Sequence, residues 1–184
     1  MTLQKSLDAL HKSGVILFPS DTVLGLCCDA TNDEAVKKIF LIKNRNQNKS
    51  LVALVSDFEM LKKYVESIPK QVFDVLENAS FPTTIVYPKA KHLAPLAMAD
   101  DGSIAIRIPK SGFALDLAKS FGKPIIATSA NLSGEQIPEE LSQISSRILE
   151  QVDYIVPLRS GKYPVTPSKI VKVTSDGEIK TVRH

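Results

Sequence analysis

At 184 residues, 43% of them hydrophobic and 23% charged, the chain is sized and composed for one soluble domain, burying about 70% of its unfolded surface without disulfides or metal. No apolar run approaches the ~20 residues that span a bilayer, and residues 1–8 lack the apolar stretch of a signal peptide, so a cytoplasmic protein free of membranes is expected. The net charge of +3 is mild, yet Lys37, Lys38, Lys43, Arg45 and Lys49 fall within thirteen residues, which suits either a polyanionic ligand or a solvated helix face.

Leu3, Leu7 and Leu10 stand at helical spacing and predict an N-terminal amphipathic helix. After Gly14 the run Val15-Ile16-Leu17-Phe18 predicts a buried strand that stops at Pro19. Ser20-Asp21-Thr22 follows, readable as an ordinary turn or as ligand groups displayed at a strand end. Residues 26–30 predict a second, shorter strand. Thr31 and Glu34 form a capping box for a helix carrying Ala35, Ile39 and Ile42, with Lys43 at the negative end of its dipole.

A polar loop over 43–49 leads to a buried strand at 51–55. Ser56 and Glu59 then form a second capping box, opening a helix to about Val65. Pro69 begins another helix, offering Val72, Phe73, Val75 and Leu76 to the core. Residues 82–88 are a strand, and 89–102 include a long loop. Residues 103–109 alternate, with Ile104, Ile106 and Ile108 on one face and Ser103, Ala105 and Arg107 on the other. A helix at 112–121 and a core strand at 124–128 follow, the strand ending in Ser129-Ala130-Asn131-Leu132-Ser133-Gly134. A helix from Pro138 to about Leu149, a short strand at 154–156 and a hairpin turned at Asp176-Gly177 complete the chain. The expected fold is α/β with a mixed sheet, one domain over 1–184.

Adjacent Cys27 and Cys28 point to opposite faces of a strand, so buried reduced thiols are expected rather than a disulfide or metal site. His11, His92 and His184 are scattered, leaving no Ser-His-Asp or zinc constellation. Neither a P-loop nor a Gly-x-Gly-x-x-Gly fingerprint occurs. Three polar clusters remain, at 19–22, 43–49 and 128–134, together with Thr84 and Arg107. An inward-facing Arg107 needs a carboxylate or a ligand, whereas an outward one needs nothing. Lys43-x-Arg45 suits an anion with several oxygens, a point charge beside a planar fork, but also fits plain surface charge.

In this order, Phe-Pro-Ser-Asp-Thr-Val-Leu-Gly-Leu, Lys-Asn-Arg, Thr84, Ala-Ile-Arg-Ile-Pro, Thr-Ser-Ala-Asn-Leu-Ser-Gly and Pro167-Ser168-Lys169-Ile170 resemble the YrdC family of threonylcarbamoyl-AMP synthases from about Gly14 to Val173. The resemblance implies a twisted mixed β-sheet with flanking helices around a basic concave cavity. It implies a nucleotidyltransferase that converts L-threonine, bicarbonate and ATP, with Mg²⁺, into threonylcarbamoyl-adenylate and pyrophosphate. The product serves tRNA-modification machinery acting on the adenosine beside the anticodon. Carried onto this chain, Lys43, Arg45, Ser129 and Asn131 form the catalytic, nucleotide-holding tetrad, joined on the ATP side by Lys49, Thr84 and Ser133. Thr22, Arg107, Thr128 and Ser168 line the threonine pocket, and no residue is a metal ligand. Departures are Leu24 for the family's tyrosine, Asn46 for proline after Lys-x-Arg, and Ser80-Phe81-Pro82-Thr83-Thr84 for Pro-Gly-Pro-x-Thr. The alternatives are a YrdC-like paralogue making another product, which Leu24 would fit, or a module using a basic cavity for direct RNA binding.

Overall fold

The computed structural model describes residues 1–46, 51–174 and 178–183. Its strands form one mixed sheet in the order β7-β1-β2-β6-β3-β5-β4-β8-β9. The middle of that order holds β1 (Ile16–Pro19), β2 (Leu24–Asp29), β6 (Ile125–Ser129), β3 (Val52–Leu54), β5 (Ile104–Arg107) and β4 (Thr83–Tyr87). β7 (Tyr154–Ile155) closes one edge, and β8 (Lys169–Val173) with β9 (Ile179–Arg183) the other. The pairs β1/β7, β3/β5 and β4/β8 are parallel, and the remaining pairs are antiparallel.

The two-residue period of the strands writes two cores, one on each face. Leu17, Leu24, Leu26 and Cys28 face one way, under α2 (Asp33–Lys43), α3 (Phe58–Tyr64), α4 (Lys70–Glu77) and α6 (Ser146–Leu149). Ile16, Phe18 and Cys27 face the other, under α1 (Thr2–His11) and α5 (Phe113–Phe121). The two thiols are free and buried on opposite faces, as their adjacency on a strand requires. Among the described residues no helix is long and apolar enough to cross a membrane.

Several expectations change. β2 begins at Leu24, not at residue 26, and at six residues it is longer than β1. Helix α2 is capped by Asn32, whose side chain accepts from Ala35 N at 2.9 Å. Thr31 instead gives its hydroxyl to Asp29 Oδ1 at 2.7 Å, so the expected capping box lies one residue early. The same slip recurs at α3, where Asp57 rather than Ser56 accepts from Met60 N. In both places the true cap is the neighbouring Asn or Asp, whose oxygen reaches the third amide of the helix.

The helix expected over 138–149 is broken into a short 3-10 turn, Leu141–Gln143, and α6. Between them Ile144 adopts extended backbone and is buried, so its place in the core breaks the helical run. Lys43 closes the last turn of α2, as expected. The tail is a β8–β9 hairpin, while its Asp176-Gly177 turn lies outside the described residues.

Candidate active site

The corner between β1 and β2 is both a turn and a wall. Ser20 gives its hydroxyl to Val23 O at 2.7 Å and accepts from the amides of Thr22 and Val23 at 3.1 and 3.0 Å. Its proton and both lone pairs are thereby engaged, and Thr22 Oγ1 lies beside it at 3.1 Å. The locked corner directs Asp21 and Thr22 at the sheet centre. There Arg107, on β5 and nearly fully buried, donates from Nη2 to Asp21 Oδ1 at 2.9 Å and to Thr22 Oγ1 at 3.3 Å. Burial lowers the Arg107 pKa, and the Asp21 carboxylate pulls it back. Its Nε is buried and has no partner among the described residues.

On the opposite side, helix α2 ends with Asn44 in the left-handed region, φ 46°, and the Arg45 amide folds back to Phe40 O at 3.0 Å. This reversal leaves Arg45 on the cavity wall. Lys43 is only 1% exposed, and its ammonium donates to the carbonyls of Ser129 and of Asn131, the latter at 2.7 Å. Its own carbonyl accepts from Ser133 N at 3.0 Å. One lysine thus fastens the end of β6 to the end of α2 at both its backbone and its side chain. Desolvation brings its pKa down to about 8, with Arg45 adding to the shift and Glu135 opposing it.

Between these walls lies a cavity of about 220 Å³. Of the residues singled out from the sequence, Thr22, Arg45, Arg107, Thr128, Ser129 and Ser168 line it. Thr84 stands behind the wall, fully buried, with its hydroxyl 2.7 Å from that of Ser168. Asn131 also stands back, its amide donating to the carbonyls of Leu132 and Glu135 and its Oδ1 buried without a partner among the described residues. Ser133 is exposed and off the cavity, and Lys49 lies outside the described residues.

Residues 8–184 match the family model of the Sua5, YciO and YrdC proteins, described as "Telomere recombination". The chain belongs to the Sua5–YciO–YrdC family. A threonylcarbamoyl-AMP synthase of Pseudoalteromonas translucida is 33% identical over 173 residues, covering 90% of this chain and 91% of the relative. The structure of P. abyssi Sua5 complexed with L-threonine has a TM-score of 0.84 at 25% identity and covers 92% of this chain, which spans 50% of that longer one. E. coli YciO shares the fold, with a TM-score of 0.83 at 23% identity over 99% of this chain and 88% of its own.

Within this Sua5–YciO–YrdC domain, Leu24 sits fully buried in the core, between two residues, Val23 and Gly25, that do line the cavity. The Leu24 side chain therefore belongs to the core. Two contributors escaped the sequence reading. Asp21 is the anion that Arg107 needed, and the signal was its place in the same four-residue corner as Thr22. Gly25 is the other: a Cβ there would meet Thr128 O at 2.9 Å and Phe18 Cε1 at 3.1 Å. Since the first contact is with backbone, Gly25→Ala should force β2 away from β6. A loss of about 1–3 kcal/mol is expected, read from urea midpoints, and unchanged midpoints would refute the contact.

Proposed function

We propose that this chain is a threonylcarbamoyl-AMP synthase, a nucleotidyltransferase joining L-threonine, bicarbonate and ATP into threonylcarbamoyl-adenylate and pyrophosphate. The observation that carries the proposal is Arg107, a buried cation whose Nε has no partner among the described residues, on the wall of a small, hydroxyl-lined cavity. The Pseudoalteromonas relative bears this name, and the P. abyssi homologue takes L-threonine, in support of the same reading. At about 220 Å³ the cavity is smaller than the roughly 300–1,000 Å³ of typical small-molecule sites, which favours a small ligand inside it. Threonine would sit inside, its carboxylate on Arg107 and its remaining polar groups among Thr22, Thr128 and Ser168. ATP would lie across the mouth, against Arg45, Ser129 and Asn131, with Lys49 and Ser133 completing that side.

In this reading the threonine nitrogen attacks the bicarbonate carbon, giving a carbamate and water. The carbamate oxygen then attacks the α-phosphorus, and pyrophosphate leaves. Both partners in the second step are anions, so Arg45 and Lys49 would offset their repulsion. Lys43 would hold the Ser129–Asn131 segment in place, and Thr84 would orient the Ser168 hydroxyl. No carboxylate lines the cavity, and no cluster of three His, Cys, Asp or Glu occurs among the described residues. In this reading Mg²⁺ would be carried on the ATP phosphates. The product would pass to tRNA-modification machinery in the cytoplasm.

Pyrophosphate release from ATP and bicarbonate should depend on L-threonine, and Ser129→Ala should lower it by about 10²-fold or more. Release that ignores threonine would overturn the assignment. The paralogue reading rested on Leu24, whose side chain takes no part in the cavity.

A further inference from the structure

Glu135 follows directly on the Ser129–Gly134 stretch, and the proposed chemistry gives it no part. In the structure it shuts the turn over residues 131–135. Its amide donates to Leu132 O at 3.1 Å, and its Oε2 accepts from Leu132 N at 3.3 Å. The same two residues are thus joined twice, in opposite directions. The Glu135 carbonyl accepts from Asn131 Nδ2 at 2.8 Å, and that amide also donates to Leu132 O at 3.1 Å. Gly134, with φ 93°, brings the chain round between them.

Lys43 is seated against this turn. Its ammonium donates to the carbonyls of Ser129 and Asn131, and its own carbonyl accepts from Ser133 N at 3.0 Å. Lys43 is buried and Glu135 is exposed, so a side chain in water helps to hold one that is out of it. Two charged neighbours act on the ammonium. Arg45, just past α2, disfavours its charge, and Glu135, on the turn, supports it. A carboxylate beside a wall meant for phosphates would by itself repel them, and its bond to Leu132 N gives it another task.

We propose that Glu135 is a positioning residue for the nucleotide: its carboxylate holds the 131–135 turn shut, and with it the seat of Lys43 between the ends of α2 and β6. The proposal rests on the reading of this wall as the ATP side. Without the Oε2 contact Leu132 N loses its acceptor and the turn loosens, so Asn131 and Ser133 no longer meet the nucleotide in register. The threonine side, with Thr22, Arg107, Thr128 and Ser168, makes no contact with the Glu135 side chain. The effect therefore falls on one substrate and spares the other.

ATP titrated calorimetrically into the full chain, together with the two KM values of pyrophosphate release, tests this. Glu135→Ala removes the acceptor and should raise the Kd and the KM for ATP by about fivefold, the scale of one hydrogen bond, with the KM for L-threonine unchanged. Glu135→Gln keeps an acceptor oxygen and should return both ATP values to within about twofold of wild type near neutral pH. The glutamine lacks the charge, so Lys43 gives up its proton at lower pH than in the wild type. As the pH rises through about 8, the affinity of Glu135→Gln for ATP should fall before that of the wild type, and the gap should narrow in high salt. An ATP Kd indifferent to Glu135→Ala, a loss that Glu135→Gln does not recover, or an equal rise in both KM values overturns the positioning role. Coincident pH profiles for wild type and Glu135→Gln overturn the action of the carboxylate on Lys43. Failure of the wild-type chain to bind ATP overturns instead the reading of this wall as the ATP side.

Discussion

Replacing Arg107 by methionine is expected to remove threonine-dependent pyrophosphate release and to cost about 3–5 kcal/mol of stability. The side chain is only 6% exposed and its partner Asp21 only 16%, so the substitution strands a carboxylate in a place built for an ion pair. Thr22 also loses the donor at its Oγ1. A double-mutant cycle separates the pair from the packing. Asp21→Asn combined with Arg107→Met should cost clearly less than the sum of the two single changes, because neither charge is then left alone. Urea midpoints give the stabilities, and pyrophosphate release gives the activity. Additive stabilities would deny the coupling, and turnover within tenfold of wild type would deny Arg107 its role with the carboxylate.

Lys43→Met should have the second-largest effect. Methionine keeps the length of the side chain but gives no donor to the carbonyls of Ser129 and Asn131. Each buried acceptor left unpaired costs about 1–3 kcal/mol, and the end of β6 loses its fastening to α2. Pyrophosphate release should fall by about 10²-fold or more.

The same lysine gives a pH signature. Its folded pKa is about 8, against 10.5 for a free lysine, because burial disfavours the charge. Between pH 8 and 10.5 the unfolded chain holds this proton and the folded chain does not. The unfolded state then binds more protons, so the Lys43 contribution to stability rises with pH through that window. Below pH 8 both states are protonated and the group adds no slope. The stability gap between wild type and Lys43→Met should therefore widen from pH 8 to 10.5, and a constant gap would show that the lysine is not desolvated.

Most elements were legible because each strand and helix carries its own period. Ile16, Leu17 and Phe18 alternate between cores as a strand must, and α2 presents Ala35, Ile39 and Ile42 to one side. The order of strands was not legible, since pairing β6 between β2 and β3 depends on contacts remote in sequence. Caps were misplaced by one residue because Thr31-Asn32 and Ser56-Asp57 each offer two good candidates side by side. The 138–149 helix failed because its residues suit a helix locally while Ile144 is claimed by the core.

At the candidate site, the charge on Arg107 forecast an anionic partner, and Asp21 answers it. Lys43 was legible as a site residue but not as a buried one. Nothing in Lys-Asn-Arg says that the first cation turns inward to two carbonyls while the second reaches the cavity. The fate of Leu24 likewise needed the fold, because neighbours on a strand part company between core and cavity.

The adjacent cysteines give the protein an unfolding reporter of its own. Cys27 and Cys28 are both fully buried, one in each core, and burial raises the pKa of each well above that of an ordinary thiol. Neither a thiolate nor an accessible sulfur is available in the native state. A thiol reagent in excess should therefore titrate two groups per chain, and only as fast as the sheet opens. Because the two sulfurs lie on opposite faces of β2, simultaneous labelling would mean that the sheet opens as a unit. Staggered labelling would mean that one helical layer lifts away before the other.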